Sequence, residues 1–312
     1  MPRGGRAVSG KKKVLVVYKK TTLQRYGKDD ERIAKLLAAG DASVDVLEHA
    51  HATHVATLEA TKAHLKGRRD VAVTFRHQHE DDGNGWDLVI TLGGDGTLLW
   101  ASHTVDDQTP MLAINSSPET SVGYFCAGAP DELEALVDGA LAGELEPTRL
   151  SRMEVAVDDR VHTKRVLNDV LFCHKSPAAA TRYLIVPLDA EGRPKGQAEG
   201  HTSSGIWAGP AAGSTAAQRS AGGKVLPVQS KKIQWVVREP YRPGDVTHEY
   251  AKGLLRAGET LSVKSKIREG RLFFDGAQKV VKVDIGSEIR LRRSDESLTL
   301  LGLKARGRFG RK

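Results

Sequence analysis

Val89-Ile90-Thr91-Leu92-Gly93-Gly94-Asp95-Gly96-Thr97-Leu98-Leu99 runs from apolar, β-branched residues through three glycines around one carboxylate into a renewed apolar pattern. It reads as a strand, a tight turn and the start of a helix. Glycines here permit positive φ and let another molecule reach the backbone without meeting a Cβ, and the N–H groups at a helix start attract phosphate. Asp95 is out of place in a turn that only holds an anion. It either caps the helix or has a chemical task, such as accepting a proton from a hydroxyl that attacks phosphorus.

Outward from this turn the N-terminal part alternates strands with helices. Residues 12–18 form a continuous apolar run of the kind buried on both faces of a parallel sheet. Residues 71–75, 87–92 and 111–115 read as further strands. Asp29 and Asp30 precede a helix reaching residue 37, and residues 55–65 and 130–141 read as two more. This order indicates an open, mostly parallel α/β sheet, whose ligands lie at the carboxyl ends of strands, where Gly93 to Thr97 and Asn115 fall.

Around Pro147 the rhythm changes to short apolar runs separated by turn residues, at 153–157, 166–172, 183–188, 233–237, 261–265, 271–274, 280–285 and 289–292. The expected division is an α/β domain over 1–146, a β-rich substrate-binding domain over 147–303 and a basic tail over 304–312. Residues 205–223 resist a strand reading and look like a small-residue loop opening a short helix, which Ser214 and Thr215 cap or leave for a ligand. Asn168-Asp169 is a polar pair inside an apolar run, and in a strand the two side chains point to opposite faces, so that one needs a buried partner.

The 312 residues, 39% hydrophobic and 28% charged, suffice for two domains. Cys126 and Cys173 have no metal or redox spacing, no apolar run approaches about 20 residues, and the basic start lacks an apolar segment behind it. A cytoplasmic protein without membrane contact is expected. The +8 charge suits any polyanion, but the basic residues are dispersed and aromatics make up only 5%, so nucleic acid is not expected as a partner. His49, His51 and His54 form no i,i+4 pair and read as solvated helix or turn residues, leaving no metal site.

Taken together, Gly93-Gly94-Asp95-Gly96-Thr97, Asn115, Asn168-Asp169, Gly213-Ser214-Thr215-Ala216 and Ser220-Ala221-Gly222-Gly223 resemble the successive motifs of the ATP-NAD kinases. The stretches 19–26 and 115–123 and Ser203-Ser204-Gly205 resemble the mitochondrial-type branch, and the likeness spans roughly residues 12–302. The resemblance implies an α/β domain, a β-sandwich-like second domain, a substrate cleft between them, and a homodimer or homotetramer whose neighbouring subunit helps form the site. It also implies transfer of the terminal phosphoryl group of ATP, or of polyphosphate, to the 2′-hydroxyl of the adenosine ribose of NAD(H), with Mg²⁺ held mainly by donor phosphates and water.

By this resemblance Asp95 acts on that hydroxyl, Gly93, Gly94, Gly96 and Thr97 form the phosphate turn with Asn115 nearby, and Asn168 and Asp169 contact the nucleoside. Ser214, Thr215, Ala216 and Ser220 match the loop around NAD, and Arg182 is a candidate phosphate partner. Two departures stand out: Asn-Asp replaces the more frequent Asn-Glu, and Ala217 replaces the usual tyrosine, with Trp207 the nearest ring that could stand in for it or pack beneath the loop. Lipid kinases and phosphofructokinases share the Gly-Gly-Asp-Gly turn but not the second loop.

Overall fold

The computed structural model describes residues 10–26, 30–78, 85–244 and 247–303, so Asp29 and the basic tail at 304–312 lie outside the described residues. Among these, no helix is long and apolar enough to cross a membrane. The chain divides into two compact units, Met1–Thr148 with Thr299–Lys312, and Arg149–Leu298.

The first unit begins with β1 (Lys12–Tyr18), α1 (Thr22–Tyr26), α2 (Glu31–Ala38) and α3 (Asp45–Leu65). It continues with β2 (Val71–His77), β3 (Leu88–Gly93), α4 (Asp95–Ser102), β4 (Met111–Asn115) and α5 (Leu133–Ala142). The strands pair in parallel in the order β2-β1-β3-β4. All residues of β3 and β4 are buried, as their unbroken apolar runs require. Val14, Val16, Ile90, Leu92, Leu112 and Ile114 pack against Leu58 and Leu65 of α3 and Leu133, Leu136 and Val137 of α5. Asp30 caps α2 by accepting from the Arg32 and Ile33 amides, as its sequence position suggests.

Helix α3 starts ten residues before the expected 55, because tertiary contacts rather than apolar periodicity hold its first half. Ser117 Oγ donates to Ala50 O at 3.0 Å. His54, read from sequence as solvated, is fully buried. Its Nε2 lies 3.0 Å from the Lys19 carbonyl and its Nδ1 2.7 Å from Ser116 Oγ, so Nε2–H donates and Nδ1 accepts the serine hydroxyl. Burial, with the Lys19 charge nearby, pushes its pKa down to about 4 and keeps the ring neutral. His51 meets Thr21 Oγ1 at 2.8 Å, and only His49 stays exposed.

The second unit is built from β5 (Pro147–Val157), β6 (Arg160–Val166), β7 (Val170–His174), β8 (Thr181–Leu188), β9 (Glu199–Ser203) and β10 (Ile206–Pro210). Then follow α6 (Ala217–Ser220), β11 (Ile233–Val237), β12 (Lys252–Leu255), β13 (Thr260–Ser265), β14 (Gly270–Phe274), β15 (Lys279–Val283) and β16 (Glu288–Leu301). Antiparallel order β12-β11-β10-β7-β14-β15 makes one sheet, and β16-β13-β8-β9, with β5 paired to β16 and β6 to β5, the other. Phe172, Ile206, Trp235 and Leu272 of the former share one core with Met153, Tyr183, Ile185, Leu261 and Ile289 of the latter. This is a β-sandwich.

Two local readings need correction. Residues 206–210, expected to be loop, are strand β10, held by antiparallel pairing with β7 and β11; Gly209 is small for close packing, since a Cβ there would stand 2.3 Å from the Asn168 carbonyl oxygen. The run 166–172 is not one strand but breaks between β6 and β7 at residues 167–169. At the far end of the chain, Leu300 of β16 pairs in parallel with Met111, and Gly302 N–H donates to Glu146 O at 3.0 Å.

Candidate active site

In the first unit, Gly93 and Asn115 lie side by side in register at the carboxyl ends of β3 and β4. Asp95 is the first residue of α4, and it does not cap that helix: its Oδ2 accepts from Tyr124 N–H and its Oδ1 from Phe125 N–H, both at 2.9 Å. Asn115 sets up those amides. Its Nδ2 donates to Ser121 O at 2.9 Å and its Oδ1 accepts from Ser117 N–H at 3.2 Å, closing the loop that delivers Tyr124 and Phe125. Gly123, in that loop at φ 60°, has no room for a side chain because its Cβ would stand 2.5 Å from Asn115 Nδ2. The side chain of Asn115 therefore works on the loop rather than pointing clear of it.

The turn glycines do not act as expected. Gly93, Gly94 and Gly96 are absent from the glycines with positive φ. Gly93 and Gly94 are required for close packing, since a Cβ would stand 2.2 Å from Thr97 Oγ1 at the first and 2.0 Å from Ser121 Oγ at the second. Thr97 is buried and folds back over Gly93. Gly96 alone is exposed, with nothing within 4 Å of where its Cβ would be. The first N–H groups of α4 have no acceptor inside the helix and its dipole points there, so the exposed side of this turn suits an anion.

In the second unit, Asn168 and Asp169 sit in the turn between β6 and β7. The amides of Leu167, Asn168 and Asp169 converge on the Asp275 carboxylate at 2.9, 2.7 and 3.0 Å. This clamp is why the run leaves strand geometry, and it lets two adjacent side chains meet instead of facing apart: Asn168 Nδ2 donates to Asp169 Oδ2 at 3.1 Å. Gly213 brings the second loop onto the same turn, because a Cβ there would stand 1.6 Å from Asn168 O. Gln218 Nε2 also reaches that oxygen at 3.4 Å.

Ser214, Thr215 and Ala216 are thus gathered with Asn168 and Asp169. The Ser214 hydroxyl is fully buried, donating to Ala211 O at 2.7 Å and accepting from Leu226 N–H at 3.0 Å, so it builds the loop; Thr215 and Ala216 are half-buried and Ser220 is exposed. Arg182 is exposed on β8, in the other sheet, and among the described residues no hydrogen bond or ion pair joins its side chain to the turn. Trp207 lies on β10 with Arg238 5.7 Å from its ring centre. Sequence reading missed Tyr124, Phe125 and Asp275; Asp275-Gly276 announces a hairpin turn, but nothing local says that its carboxylate folds back.

Burial pushes the Asp169 carboxyl up to about 7, and the Asp275 charge acts in the same direction. Since an unfolded aspartate titrates near 3.9, the folded chain holds a proton between about pH 4 and 7 that the unfolded chain has lost. Its contribution to stability is complete below pH 4 and is lost as pH rises through 7. In urea titrations across this range, the wild-type unfolding free energy is expected to fall relative to that of Asp169→Asn, which stays neutral. Parallel pH profiles for the two proteins would show that Asp169 titrates normally.

The ATP-NAD kinase N-terminal domain matches residues 28–145. The probable NADH kinase of Oryza sativa subsp. japonica is 33% identical over 220 residues, which cover 66% of this chain and 67% of that protein. The NADH kinase of Arabidopsis thaliana is 34% identical over 220 residues, covering 66% and 69%. The fold matches that of yeast NADH kinase complexed with NADH, at TM-score 0.69, 17% identity and coverage of 94% and 84%. It also matches an NAD kinase from Archaeoglobus fulgidus in complex with ATP, at TM-score 0.66, 20% identity and coverage of 92% of each chain. With its glycine turn, its clamped aspartate and relatives of this identity over two thirds of their length, the chain belongs to the ATP-NAD kinase family.

Proposed function

We propose that this NAD(H) kinase uses Asp95 to receive the proton of the adenosine ribose 2′-hydroxyl as that oxygen attacks the terminal phosphorus of ATP or polyphosphate. The 2′-oxygen to phosphorus bond forms, the bond from phosphorus to the donor's bridging oxygen breaks, and NADP(H) leaves with the new phosphate. The observation that carries this reading is the setting of Asp95, a carboxylate fixed by two backbone amides at the start of a helix whose other exposed groups suit phosphate. The amides fix its orientation and leave further oxygen lone pairs to meet a hydroxyl.

Asn168 and Asp169, with Thr215 and Ala216 on the loop seated against them, are proposed to hold the nucleoside. A neutral Asp169 offers a donor as well as an acceptor. Mg²⁺ supplies charge neutralisation when it enters with the donor. Phosphate oxygens and water are its expected ligands. Assembly as a homodimer or homotetramer and a cytoplasmic location, the latter consistent with Cys126 and Cys173 forming no disulfide, belong to the same proposal.

The test is to incubate the purified chain with Mg²⁺, NAD or NADH, and ATP or polyphosphate, and to quantify NADP and NADPH. Product 2′-phosphorylated on the adenosine ribose is expected; no product from any donor with either dinucleotide overturns the reading.

A further inference from the structure

Glu199 and His201 are two residues apart on β9, so their side chains leave the same face of the strand, the face that enters the sandwich core. There they meet His248, which follows the turn after β11. His201 Nε2 lies 2.5 Å and His248 Nδ1 3.6 Å from the same oxygen, Glu199 Oε1. The His201 side chain is 0% exposed and that of His248 7%, while Glu199, at 20%, keeps a path to solvent. One ligand atom from each of the three falls within 4.8 Å of the others, the one such group of His, Cys, Asp or Glu among the described residues.

The surroundings hold these groups in place. Glu199 Oε2 accepts from Glu249 N–H at 2.7 Å and Oε1 from Tyr250 N–H at 3.1 Å. The His201 ring lies between Tyr183, 5.6 Å away and tilted only 7°, and His248, 4.3 Å away at 29°. His248 Nε2 is 3.3 Å from Tyr241 O, a carbonyl that fixes the hydrogen on Nε2 and so turns the Nδ1 lone pair toward Glu199. His201 Nδ1 is buried with no hydrogen-bond partner.

We infer that Glu199, His201 and His248 form a binding site for a first-row divalent cation, Zn²⁺ in the first instance, with water as the fourth ligand. Two imidazoles and a carboxylate are a recurrent Zn²⁺ donor set, with bonds of about 2.0–2.1 Å that place tetrahedral ligands about 3.3 Å apart. His248 Nδ1 is already near that distance from Oε1, and His201 Nε2 has to retreat by roughly 0.8 Å and pass its hydrogen to Nδ1 as the ring takes the tautomer that ligates through Nε2. None of the three residues belongs to the candidate active site. The ion ties the segment after β11 to β9, and its expected effect is on stability.

The test uses the full chain, stripped with chelator, and Zn²⁺ alone as the probe. Calorimetry at pH 7.5 is expected to give one equivalent bound with Kd below about 1 µM, and a higher melting temperature with Zn²⁺ than without it. Co²⁺ in its place should show the visible bands of a four-coordinate site. His248→Ala and His201→Ala should each weaken Zn²⁺ binding by about 100-fold or more, while His49→Ala, an exposed histidine elsewhere, leaves it unchanged. If His201→Ala does not fold, His248→Ala and the Co²⁺ spectrum of the wild-type chain decide. Absence of saturable uptake by the wild type, or uptake equal in His248→Ala, overturns the inference.

Discussion

Asp95→Asn is expected to lower kcat by about 10²–10⁴ while NAD binds within a few-fold of wild type. The substitution is less innocent than its size suggests. Both oxygens of Asp95 face amide donors, so the new Nδ2 confronts one of those N–H groups and a hydrogen bond becomes a donor-to-donor contact. That change should reduce stability by about 1–3 kcal/mol, which a chain of ordinary stability survives folded. Thermal melts and calorimetric NAD titration beside the rate assay separate the two effects. Unchanged turnover would make Asp95 a clamp between α4 and residues 124–125 and nothing more; loss of NAD binding in a folded mutant would equally remove it from the chemical step.

Gly213→Ala is expected to destabilise the second unit by about 3–5 kcal/mol and to abolish most activity. Its Cβ would enter the Asn168 peptide, 1.6 Å from the oxygen and 2.4 Å from the carbon, and a backbone wall cannot swing aside as a side chain can. Either the loop lifts off the Asn168-Asp169 turn or the clamp on Asp275 opens. Gly96→Ala is the informative contrast. It meets nothing within 4 Å and should gain about 0.5–1 kcal/mol in helix α4, yet weaken donor binding about tenfold if phosphate approaches the bare Cα. A wild-type urea midpoint for Gly213→Ala would contradict the packing, and full activity in Gly96→Ala would move the phosphate elsewhere.

Local signals were legible where the chain's own neighbours decide the outcome. Residues 111–115 and 233–237 are strands where the apolar runs place them, and the β3-turn-α4 passage follows from a run of apolar and β-branched residues giving way to glycine. What failed depends on partners far along the chain. The turn glycines were read as conformational when two of them are steric, a distinction set by Ser121 and Thr97 that composition does not carry. Asn168-Asp169 reads from sequence as strand or as a strand end or bulge, and nothing local decides, because the residue that bends it, Asp275, lies over 100 positions away. The buried role of His54 depends on Lys19 and Ser116, and the amides holding Asp95 belong to residues whose side chains give no sign of it. Glu199-x-His201 was readable as a same-face pair once β9 was recognised, but a Gly between them hid the strand.

The pairing of Leu300 with Met111 has a consequence for biosynthesis. The buried Leu300 and the neighbouring Leu301 complete the first unit, yet they leave the ribosome only after every residue of the second. Domains generally fold in the order they are made. Here the continuous second unit can close while the first, begun earlier, still waits with one edge of β4 short of its last partner. The chain thus completes its N-terminal half last, and an interrupted translation product ending before residue 299 would carry its defect not at the break but in the sheet that presents Asp95.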